Sequence, residues 1–104
     1  SEMSSTITIT GSDNGRTLTH PVGYELTMKS DSSGSALDIS GYDEKVIAQL
    51  GSSEQYQLQR TLKMLKVGQT ALAVVITPGC AIPKEDRVRC LVASQQILLT
   101  IVVK

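Results

Sequence analysis

The chain has 104 residues with a hydrophobic fraction of 40 %, which is enough for one core and too little for two independent ones. Ten basic residues balance ten acidic ones, and a net charge of zero argues against a protein whose main task is to coat a polyanion. Phe and Trp are absent, so we expect a core of closely packed aliphatic side chains.

The N-terminal stretch Ser-Glu-Met-Ser-Ser precedes the first patterned segment. We interpret residues 1–5 as a short tag remnant that includes an initiator Met3 and expect it to be disordered, with a single α+β domain over residues 6–104. After Met3 the sequence shows no charged and apolar leader pattern. No apolar run approaches the roughly 20 residues that span a bilayer. We therefore expect a cytoplasmic protein.

The first third of the chain carries the two-residue alternation of β-strands. Residues 6–10 (Thr-Ile-Thr-Ile-Thr) predict a half-buried strand, and the Asp-Asn-Gly turn after them returns the chain as residues 16–20, which we expect to pair with that strand as a hairpin. Pro21 ends this second strand because it has no N–H to donate to a sheet. Alternation over residues 22–28 predicts a third strand. The polar residues 31–35 follow, and we expect them to form a surface loop.

The middle of the chain changes to a helical pattern, and we predict one or two helices within about residues 43–67. Asp43 and Glu44 favour a helix N-terminus, and Gly51 suits its end. Ser52 and Gln55 have the spacing of a capping box at the start of a second helix. The apolar residues that carry the two patterns are Val46, Ile47, Leu50, Leu58, Leu62 and Leu65.

The last third returns to strands. Residues 70–77 form a continuous apolar run, and residues 87–93 and 97–103 give two more strand patterns. The run over 97–103 is rich in β-branched residues, so we expect it inside the sheet. With a short strand near 37–39, the predicted fold is α+β. It has a mostly antiparallel sheet of about five to seven strands, helices packed on one face, and the order β-β-β-(β)-α-α-β-β-β.

The residues that catalysis or metal binding would need are scarce. His20 is the only histidine, stands directly before Pro21 and has no companion motif, so we predict an ordinary residue at a strand end. We predict no catalytic residues, no metal site and no cofactor. Cys80 and Cys90 lack ligand spacing. They flank a loop that a strand pair would close, so they form either a disulfide or, as a cytoplasmic location favours, two reduced side chains near the core.

One candidate binding surface emerges on the second predicted helix. Helical spacing on the side opposite the leucines is shown by Tyr56, Arg60, Lys63 and Val67, so an aromatic ring, two cations and an aliphatic group would share a face. An ordinary solvated basic face explains the same pattern. Nucleic-acid binding would recruit further cations, and the full set of candidate binding residues is Tyr56, Arg60, Lys63, Lys66, Arg87 and Arg89.

A second candidate surface is a sheet edge, because an uncovered edge strand invites pairing with another chain. The strands around Ile7 and over residues 22–28 are the leading candidates. We expect a small non-enzymatic module for protein binding or assembly, such as a regulator, an inhibitor or an accessory protein of the phage or mobile-element kind. Its partner would be another protein or a second copy. A nucleic-acid-binding protein and a small enzyme with an unrecognised site are the alternatives.

Overall fold

A computed structural model describes residues 3–82 and 93–104, and in this part of the chain eight strands form two four-stranded sheets. The strands are β1 (Ser4–Ile9), β2 (Thr17–His20), β3 (Glu25–Ser30), β4 (Ala36–Ser40), β5 (Ile47–Leu50), β6 (Gln59–Met64), β7 (Gly68–Thr77) and β8 (Gln95–Val103). Short 3₁₀ turns at Gly11–Asp13 and Gly79–Ala81 are the helical segments among these residues.

The two sheets form a sandwich. Sheet A has the strand order β1-β3-β6-β5, and sheet B has the order β2-β8-β7-β4. Each sheet is mixed: β1 pairs in parallel with β3, β2 pairs in parallel with β8, and the other four pairings are antiparallel. One aliphatic core lies between the sheets, as the composition predicted. It is built by side chains such as Leu26, Met28, Leu62 and Met64 from sheet A, and Leu37, Leu72, Leu99 and Ile101 from sheet B.

The prediction of an α+β fold is wrong, because residues 43–67 form β5, a loop and β6 where one or two helices were expected. The leucine spacing that indicated the second helix is accidental. In β6 the buried side chains alternate with period two, at Arg60, Leu62 and Met64. Leu58 and Leu65, which a helix would have buried together with Leu62, are 60 % and 42 % exposed.

The remaining predictions about the strands are partly confirmed and partly wrong. The predicted interior place of the C-terminal run is confirmed, since β8 lies between β2 and β7. The sheet was expected to be single, mostly antiparallel and of five to seven strands, whereas two mixed sheets are present. The strand predicted over 87–93 falls almost entirely outside the described residues. Within residues 3–82 and 93–104, no helix has both the length and the apolar character that crossing a bilayer would require.

Strand direction determines which loops share an end of the sandwich. In sheet A, β1, β3 and β5 run toward one end and β6 runs away from it. In sheet B, β7 runs toward the same end, while β2, β4 and β8 run away. Four loops therefore meet at that end, which we call the loop end; they span residues 10–16, 31–35, 51–58 and, as far as it is described, 78–82. The opposite end carries the loops 21–24, 41–46 and 65–67.

Candidate functional site

Loop 31–35 occupies the middle of the loop end. Ser32 and Ser33 are exposed at its tip. The Ser35 N–H donates to the Ser32 carbonyl oxygen at 3.2 Å, which closes the loop into a turn, and Gly34 takes a positive φ of 79°. The Ser32 N–H donates to Ser30 Oγ at 3.1 Å, so the turn is also fixed to the end of β3.

Two depressions flank this loop. One, of about 510 Å³, lies on the sheet A side and is lined by Thr8, Lys29, Leu58 and Gln59 together with the loop. The other, of about 250 Å³, lies on the sheet B side, where the lining residues include Thr10, Gly11, Ile76, Pro78 and Gln95. Loop 31–35 is thus a ridge between two hollows. A surface of this shape could receive protruding side chains of another protein.

Loops 31–35 and 78–82 are in direct contact. A β-carbon placed on Gly79 would lie 3.0 Å from the carbonyl oxygen of Gly34, which is a tight contact for a side-chain carbon. A residue with a side chain at position 79 would therefore require one of the two loops to shift by a few tenths of an ångström. The two loops are therefore packed closely against each other at Gly79 and Gly34.

Loop 51–58 is attached to the sandwich by a buried guanidinium. Arg60 is 4 % exposed, and its Nε donates to the carbonyl oxygen of Leu37 at 2.8 Å. The two terminal nitrogens donate to carbonyl oxygens of Ser52 at 2.9 Å and Glu54 at 2.6 Å, and one of them also donates to Asp38 Oδ1. One side chain thus joins β6, β4 and the 51–58 loop, and the Asp38 carboxylate neutralises its charge.

The same carboxylate holds a strained residue. Tyr56 has a φ of 63°, the one positive φ of a non-glycine residue among the described residues, and its N–H donates to Asp38 Oδ1 at 3.0 Å. Next to it, the Leu37 N–H donates to the carbonyl oxygen of Gln57 at 2.8 Å. Below the loop a cleft of about 350 Å³ opens between β4 and β5, with the Tyr56 side chain in its wall. The strain is tolerated because these bonds fix the backbone on both sides.

The structure separates the residues predicted to bind together on one helical face, since that helix does not exist. Arg60 is buried, and Tyr56 lies in the 51–58 loop at 36 % exposure. Lys63 is on β6, and Lys66 is exposed in the loop 65–67 at the opposite end. Arg87 and Arg89 lie outside the described residues. Binding of nucleic acid through this set stays a prediction, without the shared face that suggested it.

The remaining candidate residues are the histidine and the two cysteines. His20 is at the end opposite the loop end, where its ring stacks on Tyr24 with centroids 4.1 Å apart. Burial lowers the pKa of His20 below its usual range. No three His, Cys, Asp or Glu side chains gather into a potential metal site in the parts of the chain that the structure describes. The Cys80–Cys90 disulfide stays a prediction because Cys90 lies outside those parts.

Sequence reasoning found one part of this site and missed another. Loop 31–35 was expected at the surface from its polar composition, and it is there. The 51–58 loop was missed because Ser52 and Gln55 were interpreted as a helix cap. Gly51-Ser52-Ser53 is equally a turn signal, and Gly51 indeed has a φ of 80°. The ion pair between Arg60 and Asp38 cannot be predicted from local sequence, since 22 positions separate the partners.

Comparison with known proteins gives a likeness in fold. No protein-family model matches the chain, and no curated protein matches it. Among solved structures, the chain is similar to the cysteine protease inhibitor EhICP2 from Entamoeba histolytica, with 18 % identity, a TM-score of 0.52 and 97 % of each chain covered. It also matches the solution structure of Amebosin, with 16 % identity, a TM-score of 0.46 and 95 % and 96 % of the two chains covered. At 18 % identity the likeness to the inhibitor is one of fold alone.

Proposed function

We propose that this chain is a small binding protein that holds a protein partner with its loop end, and that the partner is a cysteine protease which the chain inhibits. The observation that carries the proposal is the convergence of loops 31–35, 51–58 and 78–82 on one braced end. The protease class comes from the fold likeness, because the E. histolytica chain that shares this fold over its whole length is described as a cysteine protease inhibitor.

The shape of the loop end suits the entrance of a substrate cleft. Such clefts are concave, and loop 31–35 is a ridge flanked by hollows. Its five residues carry one charge, at Asp31, so burial of the tip requires little desolvation of ions. The hydrogen bonds of Arg60 hold loop 51–58 in place before binding, which reduces the entropy lost when the complex forms.

The conformation of the tip also explains how it would block a protease without being cleaved. Proteases bind their substrates as extended strands, and loop 31–35 is closed by the bond from Ser35 to Ser32. Both ends of the loop continue into strands, β3 and β4, which belong to different sheets. Extending the loop would pull these strands out of register, so the tip would enter the cleft as a turn and stay intact.

The proposal is tested by titrating a papain-like cysteine protease and, in parallel, a trypsin-like serine protease with the purified chain. We expect stoichiometric loss of the cysteine protease activity and none of the serine protease activity. Ser33→Glu, at the exposed tip, should weaken inhibition by at least about 10-fold because it buries an unpaired charge in the complex. Val67→Glu, at the opposite end and 63 % exposed, is the matched control and should leave inhibition unchanged.

Two results would contradict the proposal. Absence of inhibition across a panel of papain-like proteases, with the circular dichroism spectrum of a folded β protein, would exclude the protease as partner. Equal loss of inhibition in Ser33→Glu and Val67→Glu would show that the loop end is not the contact surface.

A further inference from the structure

Among the described residues, the outer edge of β1 is the longest strand edge that carries no pairing partner. β1, β5, β2 and β4 are the edge strands of the two sheets, and β1, with six residues, is the longest of them. The β4 edge is partly covered, because Leu37 bonds to Gln57 and Arg60 there. Within the described residues, no strand pairs with the outer side of β1.

β1 also lacks the features by which proteins protect an edge. Its sequence, Ser-Ser-Thr-Ile-Thr-Ile, contains no charged residue and no proline. Its pairing with β3 runs over six consecutive residues without a bulge. Five of the six residues are exposed or half-exposed, and Ile9 is buried. A long, uncharged and regular edge of this kind is suited to pairing with another strand.

The register with β3 determines which backbone groups of β1 are open. The Glu25 N–H donates to the Met3 carbonyl oxygen at 2.8 Å, and Ser4 is the register partner of Glu25. In a parallel pair, alternate residues of a strand direct both backbone groups to the neighbour, so the odd-numbered residues of β1 face β3. The even-numbered residues Ser4, Thr6 and Thr8 therefore direct N–H and C=O outward.

A row of threonines on the outer face of sheet A ends at this edge. Thr6 lies beside Thr27 in the register of β1 with β3, and Thr27 lies beside Thr61 in the register of β3 with β6. The Thr27 and Thr61 hydroxyl oxygens are 2.8 Å apart and share a hydrogen bond. Thr6 is the exposed end of the row. A residue placed opposite Thr6 would continue it.

We propose that β1 is a dimerisation edge, at which a second copy of this chain adds its own β1 antiparallel about a two-fold axis at Thr6. In this register Thr6 faces Thr6 of the second copy, and Ser4 faces Thr8. Three open residues in each copy, with two backbone groups each, give six hydrogen bonds across the axis. A register centred on Ile7 would give four, because Ser4 would then face a residue beyond the end of β1.

The second copy is the occupant because the edge is complementary to itself. The threonine row would run unbroken through both copies, from Thr61 and Thr27 to Thr6 and back in reverse order. Cross-strand threonine pairs stabilise a sheet by hydroxyl hydrogen bonding. Since β1 is uncharged, no like charges meet at the axis. The antiparallel arrangement directs the two loop ends in opposite directions, so the tip of loop 31–35 in each copy lies away from the two-fold axis.

The register makes a cross-linking test specific. Directly opposed, hydrogen-bonded residues of an antiparallel pair have Cα atoms about 5.5 Å apart, within the range that a disulfide spans. Thr6→Cys should therefore form a covalent dimer on mild oxidation. Thr8→Cys, two residues along the same edge, should not cross-link to itself, although it should cross-link to Ser4→Cys in a mixture. The wild type, oxidised in the same way, controls for Cys80 and Cys90.

A charge-swap experiment tests the association itself. Analytical ultracentrifugation of the wild type from micromolar to millimolar concentration should show a rise from the mass of one chain to that of two. Thr6→Lys and Thr6→Glu should each weaken the association by at least about 10-fold, because two like charges would face each other at the axis. An equimolar mixture of the two variants should recover a dimer, which misfolded variants would not do.

The outcomes are decisive and independent of the protease proposal. A single-chain mass at millimolar concentration, or equal cross-linking of Thr6→Cys and Thr8→Cys, would overturn the dimer at this edge. Thr6→Lys should inhibit the protease as the wild type does, because Thr6 lies in the middle of β1, away from the loop end. Loss of dimer with full inhibition, or dimer without inhibition, would separate the two proposals.

Discussion

Replacement of Arg60 by methionine tests whether the guanidinium supports the loop end. The substitution keeps most of the side-chain volume and removes the contacts to Leu37, Ser52, Glu54 and Asp38. Removing one partner of a fully buried ion pair costs about 3–5 kcal/mol. Asp38 is 25 % exposed, so water can solvate part of the orphaned carboxylate. We therefore expect a loss of about 2–4 kcal/mol in the free energy of unfolding.

The loss should be measured by urea unfolding followed by circular dichroism, with Lys63→Met as the matched control. Lys63 belongs to the same strand but is turned toward the outer face of sheet A, and its replacement should cost less than about 0.5 kcal/mol. Limited proteolysis should cut the Arg60→Met variant first within residues 51–58. The double variant Arg60→Met with Asp38→Asn should recover part of the stability, because no uncompensated charge remains. Equal effects of Arg60→Met and Lys63→Met would refute the bracing role.

Two further predictions concern the core and the opposite end of the sandwich. Leu62→Ala should lower the free energy of unfolding by about 2–5 kcal/mol, whereas Leu58→Ala should cost less than about 0.5 kcal/mol, as urea unfolding can measure. Comparable losses would contradict the strand assignment. Burial lowers the pKa of His20, so the unfolded chain binds more protons and the free energy of unfolding should decrease as the pH falls below about 6.5. His20→Phe keeps a ring over Tyr24 and should flatten this part of the pH profile, as urea unfolding at several pH values can measure. If the free energy of unfolding of the variant depends on pH as steeply as that of the wild type, His20 is not the group responsible.

The strands with regular alternation could be predicted from sequence because a half-buried strand imposes a two-residue period directly. Thr6 to Thr10 alternate in this way, and β1 lies there; the C-terminal run was predicted from its β-branched residues, and β8 lies there. The predicted pairing of residues 6–10 with residues 16–20 as a hairpin is wrong, because β1 and β2 belong to different sheets. β1 pairs with β3 and β2 pairs with β8, so each pair is separated by intervening chain and no turn residue identifies it.

The helical interpretation of residues 43–67 failed because two patterns overlap in the same residues. Leucines at 58, 62 and 65 satisfy a helical period, while Arg60, Leu62 and Met64 satisfy a strand period. Arginine is seldom buried, so a charged residue at position 60 does not by itself indicate a core-facing strand position. Tertiary structure decided the outcome: Leu62 and Met64 enter the core, whereas Leu58 and Leu65 stay largely outside it.

The burial of Arg60 is the point at which fold and candidate function meet. An arginine in phase with buried apolar residues requires a carboxylate and several backbone acceptors within reach. The sequence offers ten acidic residues and gives no reason to select Asp38 among them. The carbonyl acceptors of Ser52 and Glu54 exist only once the loop has turned back over β4. The residue first proposed as a surface contact therefore acts from inside the molecule, where any effect on a partner is exerted through the position of the 51–58 loop.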